Sequence, residues 1–191
     1  MKRIGLFGGS FDPVHLGHLL VAQAAREELD LARLVFIPAS QSPFKPETAP
    51  TPAPERLRLL RLALTGKTWC EIDDQEIRRG GVSYTIDTVR DYAGCSPEAQ
   101  LFYLIGADHL SQLPKWRAAE DLARLAEFVV IPRPGQAEIP FPAPFRGRWL
   151  RGFPLAVSSS QIRERVKAGL PIDHLVPCLV AEAIRNNRLY L

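Results

Sequence analysis

The residues with the most chemical content lie in one stretch, Gly8-Gly9-Ser10-Phe11-Asp12-Pro13-Val14-His15-Leu16-Gly17-His18. It follows the apolar run Ile4–Phe7 and precedes Leu16–Leu29, which carries a broad apolar stripe, so it joins a buried strand to a helix. The adjacent glycines let the backbone turn and aim amide N–H groups at an anion. His15 and His18 can present both imidazoles on one side of the helix start, with the positive helix end behind them. No lysine follows the glycines, so this is neither a Walker loop nor GxGxxG. A zinc pair is disfavoured, because no nearby cysteine or carboxylate completes a ligand set. The chemistry that remains is phosphate binding by hydrogen-bond donors.

A second cluster, Val157-Ser158-Ser159-Ser160-Gln161-Ile162-Arg163, stands near the other end of the chain. A serine run before a helix is by itself an ordinary N-cap, but Arg163 on the first turn can reach an anion bound there.

The elements that must position these clusters alternate. Strand-like runs at Ile4–Phe7, Leu34–Ile37, Leu101–Ile105, Phe128–Ile131 and Leu155–Val157 are separated by helical patterns at 16–29, 56–64, 85–93, 116–125 and 161–168, and a last helix is expected at 180–187. Glu71–Ile77 reads as an extended segment. This alternation implies an α/β fold, a Rossmann-like parallel sheet with helices on both faces. A small C-terminal helical segment, about 158–191, completes a single domain over 1–191. Ligands of such sheets collect at the carboxyl ends of the strands, where both clusters fall. The segment Pro38–Pro54, with six prolines in 17 residues, and the segment Arg133–Gly152 read as long loops without regular structure. The first is the candidate for a lid.

Composition excludes several classes. With 46% hydrophobic and 24% charged residues the 191-residue chain is neither disordered nor fibrous. A net charge of +3 is too mild to argue for nucleic acid or a membrane, and neither partner is expected. Cys70, Cys95 and Cys178 are scattered and form no CxxC, which fits a reducing cytoplasm. The first apolar run is broken at Gly8-Gly9-Ser10, so no signal peptide is expected.

The first cluster resembles the (T/H)xGH signature of the nucleotidyltransferase superfamily, and Val157–Arg163 resembles its ISSTxIR motif, with Val157 for Ile and Ser160 for Thr. Members transfer a nucleotidyl group from a nucleoside triphosphate and release pyrophosphate. Four further motifs, Ser83-Tyr84-Thr85, Gly106-Ala107-Asp108, Leu113-Pro114-Lys115-Trp116 and Arg133-Pro134-Gly135, extend the resemblance over almost the full length to bacterial nicotinate-nucleotide adenylyltransferases. The resemblance implies ATP and nicotinate mononucleotide as substrates, with Mg²⁺ accompanying ATP. It implies His15, His18 and Arg163 as catalytic residues. ATP would be bound by Gly8, Gly9, Ser10, Phe11, His15, His18, Gly106, Asp108, Ser158, Ser159, Ser160, Ile162 and Arg163. The mononucleotide would meet Ser10, Lys45, Ser83, Tyr84, Thr85, Trp116, Arg117 and Arg133, and no side chain is expected to ligate metal. Trp116 would stack on the pyridine ring, and helix-start amides at Thr85 or Arg117 would hold the carboxylate.

Two positions depart from the family pattern. Phe44 replaces a histidine in the proline-rich loop, and Arg117 stands where an aromatic residue is common. An acceptor other than nicotinate mononucleotide, either nicotinamide mononucleotide or phosphopantetheine, and a non-catalytic nucleotide-binding module are the competing readings. The sequence leaves a homo-oligomer open.

Overall fold

The computed structural model describes residues 1–43, 50–153 and 155–191. Six parallel strands, β1 (Arg3–Gly9), β2 (Arg33–Pro38), β3 (Cys70–Ile72), β4 (Gln100–Gly106), β5 (Glu127–Ile131) and β6 (Gly147–Trp149), lie in the order β3-β2-β1-β4-β5-β6. The chain starts at the centre, builds outward through β2 and β3, then returns to place β4 on the other side of β1. The carboxyl ends of β1 and β4 therefore diverge at a switch point, and Gly9 pairs with Pro38 while Gly106 pairs with Ile131 along one edge.

Side-chain alternation sorts the core into two layers. Ile4, Leu6, Val35, Ile37, Leu101, Tyr103, Phe128 and Val130 face one layer, which Ile86 and Val89 of α4 (Thr85–Cys95) and Leu122 of α5 (Ala119–Leu125) fill. Phe7, Leu34, Phe36, Phe102, Leu104 and Val129 face the other. That layer is covered by α1 (Leu16–Leu29), α2 (Ala53–Leu64), α6 (Ser159–Lys167) and α7 (Cys178–Asn186). Both faces of the central strands are buried, so the apolar runs of β1, β2, β4 and β5 are continuous, as parallel strands require.

Three expectations need correction. Glu71–Ile77 is not extended throughout: β3 stops at Ile72, and the short helix α3 (Gln75–Arg79) follows. The Asp73 carboxylate accepts the Gln75 N–H at 3.0 Å, a local side-chain bond that turns the chain out of the strand. The segment 116–125 is not one helix. A 3-10 segment, Ala107–Lys115, comes first; Trp116 is extended, Ala118 is left-handed at φ 51°, and α5 starts only at Ala119. Leu155–Val157 adds no strand. The sixth strand is β6, inside the stretch read as irregular, where a Cβ on Gly147 would collide with the Phe128 carbonyl. Only glycine admits that approach between β5 and β6.

A second close approach lies at the end of β1. A Cβ on Gly8 would overlap the Tyr103 hydroxyl. We expect G8A to lower stability by about 1–3 kcal/mol through overpacking. Thermal melting should show that G8A costs less in a Y103F background, where the overlapped oxygen is gone. Strictly additive losses would refute this reading of Gly8.

Candidate active site

The site begins at the β1–α1 turn. His15 has extended backbone (φ −144°, ψ 172°) and caps α1. Its N–H donates to Nδ1 of His18 at 3.2 Å, and the two rings stack with centroids 3.7 Å apart. Because His18 Nδ1 accepts, its Nε2 carries the proton in the neutral ring. Nδ1 of His15 is buried without a hydrogen-bond partner among the described residues. Burial lowers the His15 pKa from 6.5 to about 4. It also pushes His18 well below 6.5, an effect the neighbouring His15 reinforces. The pair is therefore uncharged at neutral pH and works as hydrogen-bonding groups.

A buried framework that the sequence did not announce fixes the turn from below. Arg56, only 1% exposed, donates through Nη1 to the Ser10 carbonyl (2.8 Å) and through Nε to the Thr51 carbonyl (2.9 Å). The buried Asp12 carboxylate accepts from the Thr51 N–H at 3.1 Å and from the Tyr190 hydroxyl at 2.9 Å. Burial lowers the Arg56 pKa, and Asp12 opposes that shift. One signal for Arg56 was available. It lies on the buried stripe of α2, with Leu59, Leu60 and Ala63 at helical spacing.

The second cluster closes over the same turn. Ser158 caps α6 reciprocally with Gln161: the Gln161 N–H donates to Ser158 Oγ at 3.2 Å, and the Ser158 N–H to Gln161 Oε1 at 2.9 Å. Ser159 Oγ donates to the Pro13 carbonyl (2.9 Å), and Arg163 Nη1 to the Asp12 carbonyl (2.7 Å). Arg163 Nη2 reaches Ser160 Oγ at 3.4 Å. Two helix N-termini, those of α1 and α6, thus share one depression.

That depression is a cleft of about 620 Å³. Of the expected residues, Ser10, Phe11, His15, His18, Gly106, Arg133, Ser158, Ser159, Ser160 and Arg163 line it. The side chains of Phe11 and Ile162 are core, at 1% and 0% exposed, so neither has a polar group to offer. Gly8 and Gly9 are strand residues outside the lining, and the Gly9 carbonyl accepts the Ala39 N–H. Asp108 and Arg133 pair at 2.6 Å across the ends of β4 and β5.

Ser83, Tyr84, Thr85, Trp116 and Arg117 form a second group beyond the cleft. The Arg117 guanidinium lies 4.7 Å from the Tyr84 ring centre, and Trp116 packs edge-on against Phe128 and His109. Arg117 is not in the first turn of a helix, contrary to expectation, because α5 starts two residues later. Lys45 and Phe44 lie outside the described residues.

A parallel sheet with this strand order and a donor-lined cleft at its switch point define a nucleotide-binding α/β enzyme fold. The chain belongs to the cytidylyltransferase-like family, whose model matches residues 6–165. Within it, the chain groups with the nicotinate-nucleotide adenylyltransferases. It is 41% identical over 191 residues to a probable nicotinate-nucleotide adenylyltransferase of Opitutus terrae, covering 98% of this chain and 97% of that one. To the Bacillus licheniformis protein of the same description it is 39% identical, covering 100% and 99%. In three dimensions it resembles Plasmodium falciparum nicotinic acid mononucleotide adenylyltransferase complexed with NaAD. There the TM-score is 0.81 at 19% identity, over 100% of this chain and 98% of the other, a likeness of fold.

The histidine pair makes a stability prediction. Below pH 6.5 the unfolded chain takes up protons that the buried imidazoles refuse, so stability falls as pH drops toward 4. His15 alone should account for about 2 kcal/mol between pH 7 and 5. Urea titrations at the two pH values should show a smaller loss for H15N than for the unmodified chain. Equal losses would mean that His15 titrates normally.

Proposed function

We infer that this chain transfers the adenylyl group of ATP to nicotinate mononucleotide, releasing pyrophosphate and forming nicotinate adenine dinucleotide, a cytoplasmic step of NAD biosynthesis. The observation that carries this reading is the stacked His15–His18 pair at the start of α1, sharing one cleft with Ser158–Arg163 at the start of α6. This suits a polyanion that must be held by donors while one of its bonds breaks.

An oxygen of the mononucleotide phosphate attacks the α-phosphorus of ATP, and the bond to the bridging oxygen breaks in line, so that pyrophosphate leaves. The nucleophile is already ionised at neutral pH, and no general base is needed. The barrier is set by bringing anions together and by charge that builds on the α-phosphate oxygens. Catalysis is then positioning and electrostatic stabilisation. His18 donates through Nε2 to the reacting phosphate, and His15 supplies a second hydrogen bond. Arg163, with the amides behind Ser158–Ser160, holds the β- and γ-phosphates. Mg²⁺ would accompany ATP and supply positive charge to offset that of its phosphates.

The acceptor lies toward Ser83–Thr85 and Trp116–Arg117. Trp116 faces the pyridine ring, and the start of α4 faces the carboxylate. Asp108 is assigned to the ribose hydroxyls of ATP, and Arg133, which lines the cleft, pairs with it.

The direct test is pyrophosphate release with ATP and Mg²⁺ and one of three acceptors: nicotinate mononucleotide, nicotinamide mononucleotide or phosphopantetheine. A strong preference for the first is expected. Release only with another would overturn the acceptor, and release with none would overturn adenylyl transfer. H18A should lower kcat by roughly 10²–10³-fold, the cost typical of one donor to developing charge, with ATP affinity changed far less. Near-normal turnover would remove His18 from the reacting centre.

A further inference from the structure

Glu76 is a carboxylate where the fold has no evident need of one. It sits in α3, only 5% exposed, and burying a carboxylate is costly unless donors compensate. One donor comes from a neighbouring element: Thr88 Oγ1 of α4, itself fully buried, donates to Glu76 Oε1 at 2.7 Å. The Ser83 hydroxyl lies near the same carboxylate and favours its ionised form. Ser83 Oγ in turn accepts the Ser40 N–H at 2.9 Å, and the Ser83 N–H donates to the Gln41 carbonyl at 2.9 Å. A parallel bridge between Gln41 and Val82 completes the joint.

The joint has direct geometric consequences. Ser40 and Ser42, on the exit of β2, line the cleft. Ser83 is followed by Tyr84, which caps α4, and by Thr85, its first residue. The direction in which the first amides of α4 point is therefore set by Ser83, tied to Ser40 and Gln41, on one side and Thr88, one turn in, on the other. Glu76 anchors Thr88 directly. Thr85 Oγ1 also reaches the Tyr103 hydroxyl (3.3 Å), which lies against Gly8 of β1. The charged groups around the carboxylate are Arg79 of its own helix, which favours its ionised form, and Asp73, which opposes it.

We propose that Glu76 is a positioning residue for the acceptor. By anchoring Thr88 beside the Ser83 joint it orients the N-terminus of α4 against the exit of β2, so it governs acceptor affinity and not the adenylyl-transfer step. It touches neither substrate. This inference rests on the placement of the acceptor at Ser83–Thr85 given above.

The test uses steady-state kinetics of pyrophosphate release by the full chain, with ATP, Mg²⁺ and nicotinate mononucleotide. T88V removes one hydroxyl donor at nearly constant volume, and E76Q removes the charge at constant shape. Each should raise the acceptor KM about tenfold, with kcat and the ATP KM within about twofold of the unmodified chain. T88S, which keeps the hydroxyl, should restore the original acceptor KM. An unchanged acceptor KM, or equal increases for both substrates, would overturn the positioning role while leaving adenylyl transfer intact. An unmodified chain that releases no pyrophosphate with this acceptor would overturn both readings.

Discussion

The site depends above all on how the carbonyl groups of the β1–α1 turn are held. Ser10, Asp12 and Pro13 each present a carbonyl to a side chain from far along the chain: Arg56, Arg163 and Ser159. In a trans peptide the carbonyl and the following N–H point in opposite directions. Pulling the Ser10 and Pro13 carbonyls toward the protein therefore turns the amides of Phe11 and Val14 away from it. Arg56 and Asp12 are among the few buried charged groups, and each answers the other within one connected set of bonds. Removing either would leave an uncompensated charge beneath the turn, a large penalty.

Among the described residues that line the cleft there is no lysine. Two neutral imidazoles offer direction, while two helix N-termini and Arg163 offer positive potential. Stacked rings 3.7 Å apart could not both carry charge cheaply, so the geometry that lets them act together also keeps them neutral. Among the described residues that line the cleft, the positive side chains are Arg163 and Arg133, both partly exposed.

What could be read in the sequence was what is local. β1, β2, β4 and β5 announce themselves as apolar runs, and both signature clusters concentrate their chemistry in about one turn of helix. β6 is three residues long and contains glycine and arginine, so no periodicity marks it. The break at Trp116 follows from where its ring packs, against Phe128, which no window around residue 116 contains. Glu76 falls in a segment that reads as extended, because the turn after β3 hangs on a single side-chain bond from Asp73. The Arg56–Asp12–Tyr190 framework was hidden for a related reason. Its members come from three separate parts of the chain, and only Arg56 stands out as a charge on an apolar stripe.

The Tyr190–Asp12 bond spans 178 residues, and the bond of Arg163 to the Asp12 carbonyl spans 151. A change that loosens α6 or the residues after α7 therefore acts directly on the β1–α1 turn, although it lies far away in sequence.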